Sequence, residues 1–145
     1  MPDRSGYDRR EENDTVTSMR FAKVVFIGAG VWGIVVLTPL YWLVDVTGRE
    51  YLPPANHPQF FYGFLSVAMA WQIAFLVIGS NPARFWPLMF PSVIEKLGHV
   101  TTVAVLYSQA RIPAVDAQAA LPDLLLGVLF VIALARVWPA KNGAG

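Results

Sequence analysis

The sequence predicts an all-helical integral membrane protein, a four-helix bundle whose helices run up, down, up and down through the bilayer. Three observations predict this fold class. The 145 residues are 55% hydrophobic and only 14% charged, against about 25% charged in soluble domains. The apolar residues fall into four long runs, and a run in lipid satisfies its backbone polar groups by forming a helix. Short connections between the runs favour antiparallel neighbours.

The composition also excludes several classes of protein. The net charge of +1 argues against a basic nucleic-acid binder, and we expect no nucleic-acid partner. The absence of cysteine excludes disulfide scaffolds, cysteine-ligated zinc, iron–sulfur clusters and thiol catalysis. A chain of this size buries only about 68–70% of its surface in water, which is too little to hide so much apolar surface. We therefore expect the lipid bilayer to be the main partner.

The N-terminal segment is polar, carries both signs of charge and shows no apolar period. We predict a polar tail over residues 1–20, mobile from Met1 to about Thr17. The run that follows, Val24 to Val44, has no charged residue and is long enough to cross about 30 Å of hydrocarbon. Because a cleaved secretory signal has an apolar region of only about 7–15 residues close to the first Met, this run predicts a membrane anchor.

Three further runs complete a transmembrane domain over residues 21–138, followed by a C-terminal tail at 139–145. The predicted spans are 24–44, 60–79, 85–107 and 121–138. The third run contains Pro91 and Gly98, and a bend is predicted at Pro91 because proline lacks the backbone N–H that a helix interior uses. A segment that enters the membrane and returns on the same side is the alternative for this run.

The positions of Arg and Lys predict the orientation, because cytoplasmic loops carry an excess of positive charge. If the N-terminus is cytoplasmic, only Arg49 and Arg111 fall on the opposite side, and Lys96 lies inside the membrane. We therefore expect both termini to be cytoplasmic, in a membrane of the bacterial inner type. The basic residues on the predicted inner side are Arg4, Arg9, Arg10, Arg20, Lys23, Arg84, Arg136 and Lys141.

The first span contains a pattern that resembles a dinucleotide-binding fingerprint, with Gly28, Gly30 and Gly33 in the spacing G-x-G-x-x-G. The fingerprint requires an amphipathic helix and further βαβ units after it, whereas this run stays apolar on every face and leads to other spans. We therefore predict no cofactor. Small residues spaced by four, such as Ala29 and Gly33, instead favour close helix packing. In the second span, the same argument applies to Ser66, Ala70 and Ala74.

The third span carries most of the polar chemistry. At 100° per residue, Ser92, Glu95, His99 and Thr102 fall within about 80° of arc, with Lys96 on the flank of this stripe. A charged residue at the centre of a span costs about 2.5–3.5 kcal/mol on insertion scales. We therefore expect the stripe to face the interior of the bundle.

Two further polar residues are predicted to join this stripe. Gln72 in the second span lies at a depth similar to that of Glu95 and Lys96. Asp123 opens the fourth span, where a carboxylate complements the positive end of a helix; the alternative is that Asp123 faces Lys96 or His99 across the bundle. The candidate ligand-binding or proton-binding residues are thus Glu95, Lys96, His99, Gln72 and Asp123.

Three interpretations of these residues remain open from the sequence. The first is a polar network that fixes helix register in a non-catalytic membrane component, as a homo-oligomer or part of a larger membrane complex. The second is a small carrier or proton-linked binder that uses Glu95, His99 and Lys96. The third is an intramembrane enzyme in which Glu95 and His99 act as acid and base on an apolar substrate. No metal site is predicted, because the other histidine, His57, belongs to a connection.

Several local motifs resemble those of small uncharacterised bacterial membrane proteins with four helices. They are His57-Pro-Gln-Phe-Phe-Tyr-Gly63 before the second span, Asn81-Pro82 after it, the polar residues through His99, and Leu121-Pro-Asp-Leu-Leu-Leu-Gly127. Together they cover roughly residues 57–138. The layout is also similar in architecture to DoxX-like four-helix proteins. The resemblance implies a four-helix membrane fold and no particular activity.

Overall fold

A computed structural model describes residues 4–42 and 58–142. Within these ranges the chain forms helices and no strand, so the predicted all-α class is confirmed. Two short helices, α3 (Pro82–Phe85) and α5 (Ala114–Gln118), join the later long ones. The four long helices are α1 (Arg4–Leu37), α2 (Pro58–Ser80), α4 (Met89–Ser108) and α6 (Leu121–Asn142). Arg49 and His57, both assigned to an outer connection, lie outside the described residues.

The first helix begins earlier than the sequence predicts. Residues 4–17, expected to be a mobile tail, form the opening turns of α1. Their backbone is helical without an apolar face, because charges four residues apart, such as Arg10 and Asp14, stabilise an exposed helix. The Thr17 hydroxyl also donates a hydrogen bond of 2.8 Å to the Asn13 carbonyl one turn before it. The domain boundary at residue 20 stays a prediction.

Three helical stretches are long and apolar enough to cross a membrane: Glu12–Trp42, Pro58–Ser80 and Ala114–Trp138. The first contains most of α1, the second is α2, and the third contains α5 and most of α6. In the described part of the chain, α4 is not one of them, because Glu95, Lys96 and His99 lower its hydropathy. The helix nevertheless continues without interruption through Gly98 to Ser108. The alternative of a segment that enters and returns between residues 85 and 107 is therefore wrong.

The distortion before α4 lies earlier than Pro91. One turn of 3₁₀ helix, Trp86–Leu88, separates α3 from α4. Pro91 lies in the first turn of α4, shortly after this 3₁₀ turn, and without an N–H it cannot bond the carbonyl of residue 87. The bend at Pro91 stays a prediction. The turn before α3 is closed by Asn81, whose side-chain oxygen accepts a hydrogen bond of 3.1 Å from the Arg84 N–H.

The core lies where α1, α2 and α6 meet. Three phenylalanine rings, one from each helix, form its centre. The Phe26 and Phe130 rings stack with centroids 4.3 Å apart, and the Phe75 ring meets Phe130 edge-on at 4.9 Å. Helix α4 packs mainly against α6, whereas α2 and α4 make little contact. The bundle is therefore open on the side between α2 and α4.

Glycines bring α1 and α2 together. A Cβ atom at Gly30 would lie 2.8 Å from the Gln72 carbonyl oxygen, and one at Gly33 would overlap the Gln72 side chain. The prediction that Ala29 and Gly33 are helix-packing residues is therefore confirmed, since Gly33 lies against Gln72 and Ala29 is buried. In the second span, Ser66 and Ala70 are exposed and Ala74 is half-buried, so within the described bundle the packing prediction is wrong at Ser66 and Ala70.

The outward surface of the long helices is strongly apolar. Val24, Phe60 and Ile94 expose 71%, 73% and 71% of their surface, and many other large apolar side chains are also exposed. An isolated exposed apolar side chain is common on soluble proteins, but extended apolar surface marks contact with a membrane or a partner. This surface agrees with the three helices that are able to cross a membrane.

We predict that Gly30→Ala lowers the free energy of unfolding by about 1–3 kcal/mol, because the added methyl forces α1 away from the α2 backbone. The matched control is Gly28→Ala in the same helix, where a Cβ meets nothing within 4 Å. The control should leave stability unchanged or raise it by up to about 1 kcal/mol, the helix-propensity gain. Unfolding of the detergent-solubilised variants, followed by circular dichroism, measures both. Equal stability of the two variants would contradict the close approach.

Candidate functional site

A single cavity of about 350 Å³ contains all five candidate polar residues. It lies between the four long helices, towards the side on which α2 and α4 make little contact. The side chains come from α2, α4 and α6, so residues far apart in the sequence share one space. The polar residues that line the cavity are Gln72, Glu95, Lys96, His99 and Asp123.

Lys96 is the centre of this cluster. Its side chain is only 7% exposed, and its Nζ atom lies 2.8 Å from Asp123 Oδ1. The ammonium also lies 5.5 Å from the centroid of the Phe75 ring, within the range of a cation–π contact. Asp123 lies in the first turn of α6, as predicted, and its contact with Lys96 across the bundle is also confirmed, so this ion pair joins α4 to α6.

Glu95 is less well paired than Asp123. Lys96 Nζ lies 3.4 Å from Glu95 Oε2 and 3.5 Å from Oε1, at the outer limit of a hydrogen bond. The Oε2 atom is buried and, within the described residues, has no hydrogen-bond partner. Because Glu95 and Lys96 are consecutive in α4, their side chains diverge around the helix. The cluster thus holds one closely paired and one loosely paired carboxylate.

His99 lies at the edge of the cluster with 41% of its side chain exposed. Its Nε2 atom is 3.7 Å from Asp123 Oδ2, which is too long for a hydrogen bond. The contact is an ion pair only when the imidazole carries a proton. Asp123 thus faces His99 as well as Lys96, but its distance to His99 is longer than its distance to Lys96.

Gln72 closes the α2 side of the cavity. The residue is buried, and its side-chain Nε2 donates a hydrogen bond of 3.0 Å to the Ala68 carbonyl of its own helix. Its amide side chain packs directly on Gly33 of α1. The predicted common depth of Gln72, Glu95 and Lys96 agrees with their shared cavity.

The polar stripe of α4 is rotated from its predicted orientation. Lys96, placed on the flank of the stripe by the helical periodicity, is more buried than Glu95 or His99. Ser92 is fully buried and donates a hydrogen bond of 2.7 Å to the Leu88 carbonyl. Thr102 is exposed and bonds only to the Gly98 carbonyl. The inward orientation of the stripe is therefore correct at Ser92 and wrong at Thr102.

Apolar and aromatic side chains form the rest of the cavity wall. Trp32 and Phe64 are both more than half exposed, so they form its outer part, and Trp71 is less exposed. Sequence reasoning missed these aromatic residues, because only the rotation of α1 and α2 decides which apolar side chains face the cavity. The weak signal for one of them was the position of Trp71 directly beside Gln72.

Among residues 4–42 and 58–142, no group of three or more His, Asp or Glu side chains is arranged to hold a metal ion. The carboxylates of Glu95 and Asp123 both approach the Lys96 ammonium instead. The chemistry that the described site offers is therefore ion pairing, proton acceptance by carboxylate or imidazole, and contact with aromatic faces.

Comparisons with known proteins add no relative to these observations. No protein family, no curated protein and no solved structure matches the chain. The resemblance to small bacterial four-helix membrane proteins and to the DoxX-like architecture therefore stays a prediction. The function has to be argued from the site itself.

We predict that Lys96 and Asp123 are energetically coupled. Lys96→Ala leaves Asp123 without its cation, and Asp123→Ala leaves Lys96 with only the longer Glu95 contact, whereas the double variant removes both members of the pair. The double variant should therefore be about 1–3 kcal/mol more stable than the sum of the single effects indicates. Lys96→Ala combined with Asp116→Ala, an exposed carboxylate on α5, is the control and should be additive. Additivity in both pairs would exclude a direct Lys96–Asp123 interaction.

Proposed function

We propose that the chain is an integral membrane protein of the bacterial inner membrane type, with four spans running up, down, up and down. The contacts of α1 with α2 support this arrangement. Gly33 faces Gln72 near one end of the pair, and Ile27 faces Gly79 near the other. Residues later in α1 therefore contact residues earlier in α2, as antiparallel neighbours do.

The distribution of charge supports cytoplasmic termini. Arg20, Lys23 and Arg84 are exposed. The Lys23 backbone lies beside Gly79, at the end of α2 that leads into the α2–α3 turn. Arg111 is exposed in the connection after α4. An excess of basic residues on one side is typical of the cytoplasmic face. Helix α4 supplies the third of the four spans, since its charged residues line the cavity or pair within the bundle.

The function that the geometry supports best is non-catalytic binding of a small molecule inside the membrane domain. The observation that carries this proposal is the cavity of about 350 Å³ in which five polar side chains and an aromatic wall meet. Pockets of roughly 300–1,000 Å³ with a few polar groups in an apolar wall are typical of small-molecule sites. A carrier or a proton-linked binder would use the same residues, Glu95, Lys96 and His99.

A purely structural network explains less of this geometry. The ion pair of Lys96 with Asp123 fixes the register of α4 against α6, and this remains part of its role. An ion pair that only joins two helices does not require a cavity beside it, because protein interiors are normally close-packed. A polar cavity must instead be filled by water or a ligand that satisfies its polar groups.

The proposed topology predicts that a reporter fused after Gly145 stays in the cytoplasm. A pair of reporters that are active only in the cytoplasm or only after export measures this directly. The matched control is the same pair inserted after Arg111, in the connection between α4 and α5, where we expect the exported reporter to be active. An exported reporter at Gly145 would contradict the proposed orientation.

The proposed binding role predicts that the detergent-solubilised protein binds small probes inside the cavity. Three phenyl compounds of similar size, 2-phenylethylammonium, 2-phenylethanol and 3-phenylpropionate, are titrated by calorimetry, and at least one should bind saturably. Val67→Trp, an exposed cavity-lining position on α2, should block binding by filling the entrance. Val77→Trp, exposed on the same helix outside the cavity, should not. Binding of no probe, or equal binding by both variants, would count against this role.

A further inference from the structure

The charges around the cavity do not balance. Two carboxylates, Glu95 and Asp123, face one ammonium, that of Lys96. The cavity-lining residues of α1 and α2 carry no charge; their polar side-chain groups are the Gln72 amide and the indole N–H groups of Trp32 and Trp71. The site therefore holds one carboxylate more than it holds ammonium groups. An uncompensated charge in an apolar environment is costly, so a proton or a bound cation has to balance it.

Of the two carboxylates, Glu95 is the one less well compensated by Lys96. Asp123 Oδ1 forms a close ion pair with Lys96 Nζ at 2.8 Å. Both Glu95 carboxylate oxygens lie farther from the same nitrogen, at 3.4–3.5 Å. One ammonium shared between two carboxylates compensates the nearer one better, because charge interaction falls with distance. Glu95 lines the cavity and is thus the group from which a positively charged ligand gains most.

We propose that the cavity binds a monovalent organic cation, a protonated amine carried on an apolar body. This inference rests on the binding role proposed above and names the class of ligand. The ammonium group lies against the Glu95 carboxylate, in place of the missing positive charge. The apolar body lies along the wall formed by Trp32, Phe64 and Trp71, whose ring faces attract cations as well as apolar groups.

Other classes of ligand fit these residues less well. An anionic ligand would face two carboxylates, and the one cation able to receive it, Lys96, is already paired with Asp123. A divalent metal ion is bound most tightly by several protein ligands at short distances, and the described residues assemble no group of three or more such side chains. The exposed, aromatic outer wall at Trp32 and Phe64 provides an apolar route by which an amine with an apolar body enters from the bilayer.

The experiment compares the three phenyl probes on the full-length protein and on two charge-removing variants. The cation 2-phenylethylammonium should bind more tightly than the neutral 2-phenylethanol and the anionic 3-phenylpropionate. Glu95→Gln should weaken binding of the ammonium probe about 10- to 100-fold, the loss of one charge-assisted hydrogen bond. The same variant should change binding of the alcohol by less than about twofold. The matched control, Glu12→Gln on the exposed N-terminal part of α1, should bind all probes as the unmodified chain does.

The outcomes separate this inference from the binding role. If the alcohol or the carboxylate binds at least as tightly as the ammonium probe, or if Glu95→Gln leaves ammonium binding unchanged, the cation proposal is overturned and the binding role stands. If no probe binds, the binding role itself fails. Because 2-phenylethanol binding and the circular dichroism spectrum report on the fold of Glu95→Gln, a misfolded variant is recognised. In that case Glu95→Asp, which retains the charge, should preserve the preference for the cation, and loss of that preference would overturn the proposal.

Discussion

The ion pair between Lys96 and Asp123 is the constraint on which the rest of the bundle depends. A lysine ammonium inside a bundle of apolar helices is tolerated only when a counter-charge is close. Asp123 provides that counter-charge at 2.8 Å from the first turn of α6. The pair fixes the rotation of α4, since Lys96 has to face α6. That rotation in turn places Glu95 and His99 on the wall of the cavity and turns Thr102 outward.

The helices were largely predictable from the sequence because hydropathy and length act along the chain. The predicted second span, 60–79, differs from α2 by only one or two residues at each end. The first turns of α1 were not predictable in this way, because residues 4–17 are helical although their sequence has no apolar period. Local charge spacing stabilises such a segment, and a search for apolar periodicity does not detect it.

The membership of the site was more predictable than its geometry. Depth along each span placed Gln72, Glu95 and Lys96 at one level, and the structure puts all three in one cavity. Rotation about the helix axis was not accessible, because it is decided by contacts between helices. The periodicity therefore put Lys96 on the flank of the polar stripe, whereas the contact with Asp123 buries it. The small residues Ser66 and Ala70 failed as packing signals for the same reason, since α2 presents a different face to α1.

The energetics of the ion pair bear on why α4 contains charges at all. A buried ion pair is a weak source of stability, because the cost of desolvating both groups offsets most of their attraction, and well-packed apolar residues often stabilise as much. The charges also make α4 less apolar than the three helices that clearly meet the composition of a span. Helix packing alone would be served as well by leucine or alanine at positions 95, 96 and 123. A site that must hold a charged ligand explains both the loosely paired carboxylate of Glu95 and the space left open beside it.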